Sequence, residues 1–290
     1  MSANSTSRIP VIKITDNEEI TTDDALAIEE PLEIRLAYGP ADDRSIQNIS
    51  VTMRTPGNDA ELALGFLFTE GVIKTSADVK KIEHCFIACA ENKENVIQVS
   101  LNENAEPKLN NTERNFYTTS SCGVCGKTSI DAIKTESAYT YNNSIIENQV
   151  AADLLYKLPS ILQKHQKIFA DTGGLHASAL FSDDGELLLL REDVGRHNAL
   201  DKLIGAALNE NILPLDQYIL LLSGRISFEL VQKAAMAGVS IIAAVGAPSS
   251  LAVQLAGEFN ITLVGFLRDQ RFNIYTQPRR ILLSKYEDSY

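Results

Sequence analysis

The sequence predicts an α/β protein: a sheet covered by helices, preceded by a smaller N-terminal domain of the α+β type. Hydrophobic residues make up 44% of the 290 residues, which is enough for a sizeable core. In the second half, apolar strand-like segments alternate with helical ones, as expected of a mostly parallel sheet. A polar stretch at residues 102–114 separates this half from the first. We therefore expect a flexible tail at residues 1–8 and domains at residues 9–115 and 116–290.

The N-terminal domain is predicted to consist of strands around one helix. Residues 49–54 alternate apolar and polar side chains, as a half-buried strand does. Asn58 and Glu61 have the spacing of a capping box, so a helix is expected to begin there and to end at Gly71. The other strands are predicted at residues 9–15, 32–37, 82–88 and 96–101.

The C-terminal domain is predicted to begin with helices at residues 129–135 and 148–164, the second of them amphipathic. Asp183, Asp184 and Gly185 form a strong turn signal, so the flanking residues 176–181 and 186–191 are expected to pair as a hairpin. Later strands are predicted at residues 218–223, 240–245, 261–266 and 272–276, and helices at residues 197–208, 227–238 and 249–258.

Charge and hydropathy argue against several classes of function. The formal net charge is −12, which opposes general binding to nucleic acid. The N-terminal residues lack the basic and apolar segments of a secretory signal, and no apolar run reaches the roughly 18 residues of a membrane helix. We therefore expect a protein of the cytoplasm, without membrane or nucleic-acid partners, whose cysteines are reduced thiols.

Two of the four cysteines, Cys122 and Cys125, stand in a loop of small, hydroxylated and glycine residues. Such a loop has little to bury, and its glycines leave both thiols sterically accessible. One interpretation is a persulfide carrier, which needs exposure, mobility and a lowered thiol pKa, with Lys127 close enough to contribute. Another is a dithiol redox pair, although the position in mid-chain is unlike that of a thioredoxin motif.

A zinc site is the third interpretation, and the spacing argues against it. Structural zinc takes four ligands, but Cys85 and Cys89 are separated by roughly 13 Å on a predicted strand. The zinc deaminase pattern needs His-x-Glu and Pro-Cys-x-x-Cys; here no histidine precedes x-Glu, and Ser121 replaces the proline. We expect Cys85 and Cys89 to be buried small hydrophobic residues, and we predict no metal ligands.

Three predicted strand ends in the second half carry glycine, serine or arginine, at residues 223–225, 246–250 and 266–271. Ligands of open α/β sheets bind beyond the carboxyl ends of the strands, where glycine and helix N-termini favour phosphate. Arg225, Arg268 and Arg271 could converge on a polyphosphate or nucleotide there, with ordinary loop chemistry as the alternative for each segment. The sequence has no Walker loop and no GxGxxG motif.

A dense polar run at residues 191–198 lies between a predicted strand and a predicted helix, and is either a helix cap or part of a site. Asp193 or Asn198 could cap the helix. His176 and His197 are secondary candidates for the site, because a single histidine is more often structural than catalytic.

Five motifs together resemble the formate dehydrogenase accessory sulfurtransferase family, FdhD. They are Cys122-Gly-Val-Cys-Gly, His176-Ala-Ser-Ala, the run from Arg191 to Lys202, Leu222-Ser-Gly-Arg and Gly265-Phe-Leu-Arg. The segment at residues 61–71, most of which lies in the predicted helix, also fits, and the resemblance extends from about residue 31 to residue 275. Each motif alone is weak, and their order and number carry the resemblance.

The resemblance implies a cytidine-deaminase-like sheet without its zinc ligands, and a sulfurtransferase that works as a cytoplasmic homodimer. It implies that Cys122 accepts persulfide sulfur from a cysteine desulfurase, with Cys125 as a supporting or relay thiol. The sulfur then goes to molybdenum (or tungsten) bis(molybdopterin guanine dinucleotide), bound as a substrate, before that cofactor enters the catalytic subunit of formate dehydrogenase. No permanently bound metal is expected. The implied cofactor-binding residues are Phe266, Leu267, Arg268, Asp269, Gln270 and Arg271.

Two other functions stay open at this point. A molybdenum-cofactor chaperone would bind the cofactor and hand it over without transferring sulfur. A dithiol oxidoreductase would reduce disulfides with no pterin present. Transfer of labelled sulfur to Cys122 distinguishes the carrier from both.

Overall fold

The computed structural model describes residues 5–85, 94–109 and 148–283. The N-terminal strands β1 (Thr6–Thr15) and β2 (Glu18–Ala27) form an antiparallel hairpin that is separate from the other sheets. Asp16 and Asn17 both have positive φ, as a two-residue hairpin turn requires. Sequence patterns missed β2 because its four acidic side chains are poor strand formers. β1 begins at Thr6, so it includes three residues of the predicted tail.

The second sheet confirms the other N-terminal strands. It contains β3 (Glu30–Tyr38), β4 (Ser45–Arg54), β5 (Val79–His84) and β6 (Val96–Leu101), in the order β4-β3-β6-β5. β3 and β6 are parallel, and the two outer pairs are antiparallel. Both central strands bury apolar side chains against helix α1 (Asp59–Thr69), which follows β4.

The capping box predicted for α1 is wrong. Asn58 has a left-handed backbone with φ of 58°, whereas a capping residue needs an extended one, and its side chain makes no capping hydrogen bond. Glu61 instead accepts two hydrogen bonds from Arg191, at 2.5 Å from Nε and 2.7 Å from Nη2. This acid therefore ties α1 to the second half of the chain.

The single helix predicted for residues 148–164 is also wrong, because the chain forms several short elements there. They are β7 (Val150–Ala151), α2 (Ala152–Leu155) and α3 (Leu158–His165), and α4 (Lys167–Thr172) follows. Pro159 has no N–H to give to a preceding turn, so it fits only the first turn of α3. The helix predicted at residues 129–135 lies outside the described residues.

The largest sheet has six strands and holds the predicted α/β elements. They are β8 (His176–Phe181), β9 (Leu187–Asp193), β10 (Ile219–Leu222), β11 (Ile241–Ala244), β12 (Thr262–Arg268) and β13 (Arg271–Thr276). Their order is β13-β12-β11-β10-β8-β9, and β10, β11 and β12 are parallel. β8 and β13 run the other way, because hairpins connect them to β9 and β12. The sheet is therefore mixed, which corrects the expectation of a mostly parallel one.

Helices cover both faces of this sheet. One face packs against α5 (Arg196–Asn209), α6 (Phe228–Met236) and α7 (Ser250–Glu258), and the other against α2 and α3. A short strand β14 (Ile281–Leu282) pairs with β7. Within the residues that the structure describes, no helix is long and apolar enough to cross a bilayer. The fold is thus a mixed α/β architecture, and its likeness to cytidine deaminases stays a prediction.

Two glycines let α1 and α5 cross at backbone contact. A Cβ on Gly205 would lie 2.6 Å from the carbonyl carbon of Glu61, and one on Gly65 would lie 2.8 Å from that of Asp201. One hydrophobic cluster consequently runs from β3 and β6 through both helices to the six-stranded sheet. The predicted domain boundary near residue 115 lies outside the described residues.

Candidate functional site

The carboxyl ends of β9, β10, β11 and β12 lie at one edge of the six-stranded sheet. His176, the first residue of β8, lies at the same edge, because it pairs with Asp193 at the end of β9. The segments after β10 and β11 and the end of β12 are the three that the sequence singled out. The prediction that they lie together is confirmed, and we call this region the carboxyl edge.

A row of glycines brings the backbones of the carboxyl edge into contact. A Cβ on Gly224 would lie 3.1 Å from Nδ1 of His176, and one on Gly246 would lie 2.8 Å from the carbonyl oxygen of Gly224. At Gly265 the added atom would lie 2.9 Å from Pro248. Larger residues would not fit, so these glycines are needed for the close packing of the strand ends.

Backbone hydrogen bonds hold the carboxyl edge in place. Gly246 accepts a hydrogen bond from the amide of Phe266 at 3.1 Å, and its own amide donates to Gly224 at 3.3 Å. The Ser249 side chain caps α7 by accepting from the amide of Ala252 at 3.2 Å. The helices α5, α6 and α7 all begin beside this edge, so their positive N-terminal dipoles favour an anion there.

The implied cofactor-binding stretch forms a bulge and a hairpin tip at the end of β12. Phe266 is exposed and has φ of 56°, which is unusual for a bulky side chain. Leu267 points into the core and is 0% exposed, so only its backbone could reach a ligand. Asp269 and Gln270 form the turn, both with positive φ. The remaining members, Arg268 and Arg271, pair across the hairpin, and both are exposed.

His176 stands among positive charges at this edge. Burial lowers the pKa of His176 below its ordinary value of 6.5, and the charges of Arg196, His197 and Arg225 lower it further. Asp193 opposes the shift without reversing it. The imidazole is therefore neutral at pH 7, with one nitrogen able to donate and the other able to accept a hydrogen bond.

The polar run at residues 191–202 is chiefly structural. Asp193 is 0% exposed and forms a 2.7 Å ion pair with Lys202, whose Nζ also donates to the carbonyl of Thr55 at 2.8 Å. Asn198 donates to the carbonyl of Met53 at 2.7 Å. Neither predicted cap forms, since Gly195 is the N-cap of α5 and no side chain caps it. These contacts attach β4 and the residues after it to the carboxyl edge.

His197 also has a structural environment. It is 3% exposed, and its Nε2 lies 2.9 Å from Glu229 and 3.1 Å from the hydroxyl of Ser227. Both contacts join the first turn of α5 to the start of α6. Of the two candidate histidines, only His176 is accessible enough to meet a ligand.

The predicted catalytic residues Cys122 and Cys125 lie outside the described residues, as does Cys89. Cys85 is free and half-buried, and its Sγ lies 3.8 Å from Oε1 of Gln98. The expectation of a buried Cys85 is thus wrong, because the residue follows the end of an outer strand of the four-stranded sheet. Among residues 5–85, 94–109 and 148–283, no three His, Cys, Asp or Glu side chains are grouped as metal ligands.

Sequence reasoning missed a cavity beside the carboxyl edge. It has a volume of about 470 Å³ and lies between α3, α4 and the ends of β10 and β11. Its polar lining includes Gln163, Gln166, His176 and Ser223. Of these four, only His176 and Ser223 belong to motifs visible in the sequence. The two glutamines gave no signal, because a glutamine in a predicted amphipathic helix is expected on its exposed surface.

Comparison with known proteins places the chain in a family. The profile of the FdhD/NarQ family matches residues 27–282, and the chain belongs to this family. The sulfur carrier protein FdhD of Mycolicibacterium paratuberculosis is 51% identical over 280 residues, which cover 95% of this chain and 98% of that protein. The sulfur carrier protein FdhD of Sulfurisphaera tokodaii is 44% identical over 275 residues, covering 95% of this chain and 98% of that protein.

A solved structure has the same fold. The crystal structure of a protein from Desulfotalea psychrophila, described as a formate dehydrogenase accessory protein, superposes with a TM-score of 0.72. The two sequences are 26% identical, and the match covers 96% of this chain and 100% of that chain.

Proposed function

We propose that the protein is a sulfur carrier. It accepts persulfide sulfur from a cysteine desulfurase on Cys122 and passes it to molybdenum bis(molybdopterin guanine dinucleotide), which is its bound substrate. The sulfurated cofactor then enters the catalytic subunit of formate dehydrogenase. The curated relatives that match nearly the whole chain are named sulfur carrier proteins, which supports this proposal.

The observation that carries the proposal is the carboxyl edge. Its three helix N-termini suit the phosphates of a guanine dinucleotide, although the chain as a whole carries a net charge of −12. Three arginine side chains are exposed along this edge, at Arg225, Arg268 and Arg271. Each of them can therefore contact a phosphate from solvent. Phe266 adds an exposed aromatic face for an aromatic ring of the cofactor.

Sulfur transfer proceeds in two steps, the loading of Cys122 and the delivery of sulfur to the cofactor. The Cys122 thiolate attacks the terminal sulfur of the desulfurase persulfide, which forms a persulfide on Cys122 and leaves a thiolate on the desulfurase. Transfer of the terminal sulfur to the metal then regenerates the Cys122 thiolate, and the metal supplies the two electrons that make this sulfur a sulfide. Cys125 acts as a supporting or relay thiol. The protein works in the cytoplasm as a homodimer.

Sulfur loading tests this proposal. The full chain is incubated with a cysteine desulfurase and [35S]cysteine, and the label that a thiol reductant releases is counted. Wild-type protein should take up about one labile sulfur per chain, and Cys122→Ala should take up none. Cys85→Ala is the matched control, because this half-buried thiol follows the end of β5 and lies outside the Cys122 loop, and it should load like the wild type.

Other outcomes would contradict the assignment. If Cys122→Ala loads fully while Cys125→Ala does not, the roles of the two thiols are reversed. If no variant changes the loading, the carrier proposal fails. A cofactor chaperone would bind the molybdenum cofactor while taking up no label, and a dithiol oxidoreductase would reduce disulfides without it.

A further inference from the structure

The helix α4 lies beside the carboxyl edge and is weakly anchored in the fold. All six of its residues are at least partly exposed to solvent. Its two large apolar side chains, Ile168 and Phe169, belong to neither hydrophobic cluster of the described residues. A helix of this length gains little stability from its own hydrogen bonds. A segment with so few buried apolar contacts opens more readily than the core of a protein does.

The chain is anchored on both sides of α4, and a joint with non-helical backbone separates the helix from each anchor. The anchors are Leu162 of α3 and Leu175 before β8, which are both buried. At the first joint, Gln166 leaves the helical region with ψ of 83°. At the second, Gly173 has φ of 66° and Gly174 follows it. Such joints allow α4 to turn while α3 and β8 stay in place.

Glu192 of β9 holds α4 against the six-stranded sheet. Its two carboxylate oxygens accept hydrogen bonds from the first turn of α4, at 3.2 Å from the amide of Ile168 and 3.0 Å from the amide of Phe169. Hydrogen bonds to a charged group are about twice as strong as those between neutral groups. The carboxylate also interacts favourably with the positive end of the helix dipole. Glu192 is therefore a strong attachment for an otherwise weakly held helix.

The other support of α4 is itself lightly anchored. The helix packs against β2, which belongs to the N-terminal hairpin that is separate from the other described sheets. Most residues of this hairpin are exposed. A two-stranded hairpin is at best marginally stable alone, so β2 can follow a movement of α4 at little cost.

The helix forms one wall of the cavity at the carboxyl edge. Phe169, Gly173 and Gly174 line the cavity, together with Ser223 and Val245 after the ends of β10 and β11. Displacement of α4 would consequently open the cavity along one side, whereas the sheet and α3 would keep their positions.

We propose that α4 is a hinged flap, and that the Glu192 carboxylate is the latch that holds it shut over the cavity. Opening breaks the two hydrogen bonds to Glu192 and turns α4 about Gln166 and the two glycines, and closing restores both bonds. The flap is in equilibrium between the two positions. Control of access to the carboxyl edge rests on the proposed function, in which substrate phosphates lie there. The movement of α4 does not rest on it.

Hydrogen–deuterium exchange of the full, ligand-free chain measures this movement, because the amides of Ile168 and Phe169 are protected while they donate to Glu192. They should exchange at least about ten-fold faster than the amides of β8. Glu192→Gln keeps the size and removes the charge, so exchange at both amides should rise about ten-fold while β8 is unchanged. The matched control is Glu186→Gln, an exposed carboxylate just before β9, which should exchange like the wild type.

The two glycines test the hinge with substitutions of opposite effect. At Gly174, φ lies outside the left-handed region and a Cβ would meet nothing nearer than 3.8 Å. Gly174→Ala therefore fits the closed position and stiffens the joint, so it should slow exchange of the Ile168 amide about two- to five-fold. Gly173→Ala places a side chain at φ of 66°, which disfavours the closed position, and it should accelerate this exchange about ten-fold.

Binding kinetics test whether the flap controls access. The probe is guanosine diphosphate that carries a fluorescent N-methylanthraniloyl group, mixed with the full chain in a stopped-flow instrument. Glu192→Gln should raise the association and dissociation rate constants by similar factors, so Kd should change by less than about two-fold. Gly174→Ala should lower both rate constants. A residue that contacted the nucleotide would instead change Kd.

Several outcomes would overturn the flap. They are equal exchange at Ile168 and Phe169 in wild-type protein and Glu192→Gln, an equal rise of exchange in β8, and localised exchange with unchanged binding rate constants. Failure of the proposed function looks different. If wild-type protein binds no labelled nucleotide, the substrate proposed for the carboxyl edge is lost, whereas exchange confined to α4 would still support the flap.

Discussion

Replacing Gly205 by alanine tests the close crossing of α1 and α5 that joins the two halves of the chain. The new methyl group would lie 2.6 Å from the carbonyl carbon of Glu61 and closer still to its oxygen, whereas ordinary contact begins near 3.4 Å. The helices must therefore separate by at least about 0.8 Å along a fully buried interface. We expect this substitution to cost about 3 kcal/mol of stability, the upper end of the usual range for overpacking. The clashing atoms belong to the backbone of α1, which cannot move aside as a flexible side chain could.

Gly257→Ala is the matched control, because it also lies in a helix but a Cβ there meets nothing nearer than 3.9 Å. It should leave stability unchanged or raise it by up to about 1 kcal/mol, through the better helix propensity of alanine. Urea denaturation followed by circular dichroism measures both variants. Gly205→Ala should lower the midpoint by about 1 M or more. If the two variants denature at the same urea concentration, α1 and α5 do not cross at backbone contact.

Three further tests concern buried charge, the bulge and the edge histidine. Lys202→Met leaves Asp193 buried without its ion partner, so urea denaturation should show that the free energy of unfolding falls by about 3–5 kcal/mol. Adding Asp193→Asn should restore part of this loss. A loss under about 1 kcal/mol would contradict a stabilising ion pair. Phe266→Gly removes the strain of a bulky residue in the left-handed region, so it should raise the free energy of unfolding by about 1 kcal/mol. It should also weaken the binding of guanosine diphosphate measured by calorimetry, and unchanged binding would exclude a ligand role for the Phe266 ring. The pKa of His176, measured by NMR, should lie below 6.5. As the pH drops from 6.5, the unfolded chain takes up the proton before the folded chain does, so the free energy of unfolding should fall until the pH has passed the folded pKa. This fall should be smaller in His176→Asn, and an equal fall in the variant would contradict the lowered pKa of His176.

Much of the C-terminal fold could be predicted from sequence because its signals are local. The strands β10 and β11 are short apolar runs that end in serine or glycine, and the hairpin after β8 has an Asp-Gly turn. The strand ends could be placed at one edge because strands that run in the same direction end together. The direction of β8 and β13 relative to the parallel strands could not be predicted, since a strand's own residues do not determine which neighbour it pairs with.

The other corrections arise from tertiary contacts. Glu61 has the spacing of a capping box but pairs with Arg191, 130 residues further along the chain. Leu267 lies in a stretch predicted to meet a ligand, yet the bulge before Arg268 turns Phe266 outward and Leu267 into the core. Gln166 carries no local signal, because its burial depends on how α3 and α4 pack beside the sheet.

Movement of sulfur from the loaded chain to the cofactor is the direct test of the sulfur-carrier proposal. Protein carrying [35S]persulfide on Cys122 is freed of desulfurase and mixed with molybdenum bis(molybdopterin guanine dinucleotide), and the label on each is counted over time. Label should leave the protein and appear on the cofactor in equal amounts, and Arg271→Gln should slow this transfer without reducing the initial load. Label that stays on the wild-type protein while the cofactor is bound would contradict the proposal.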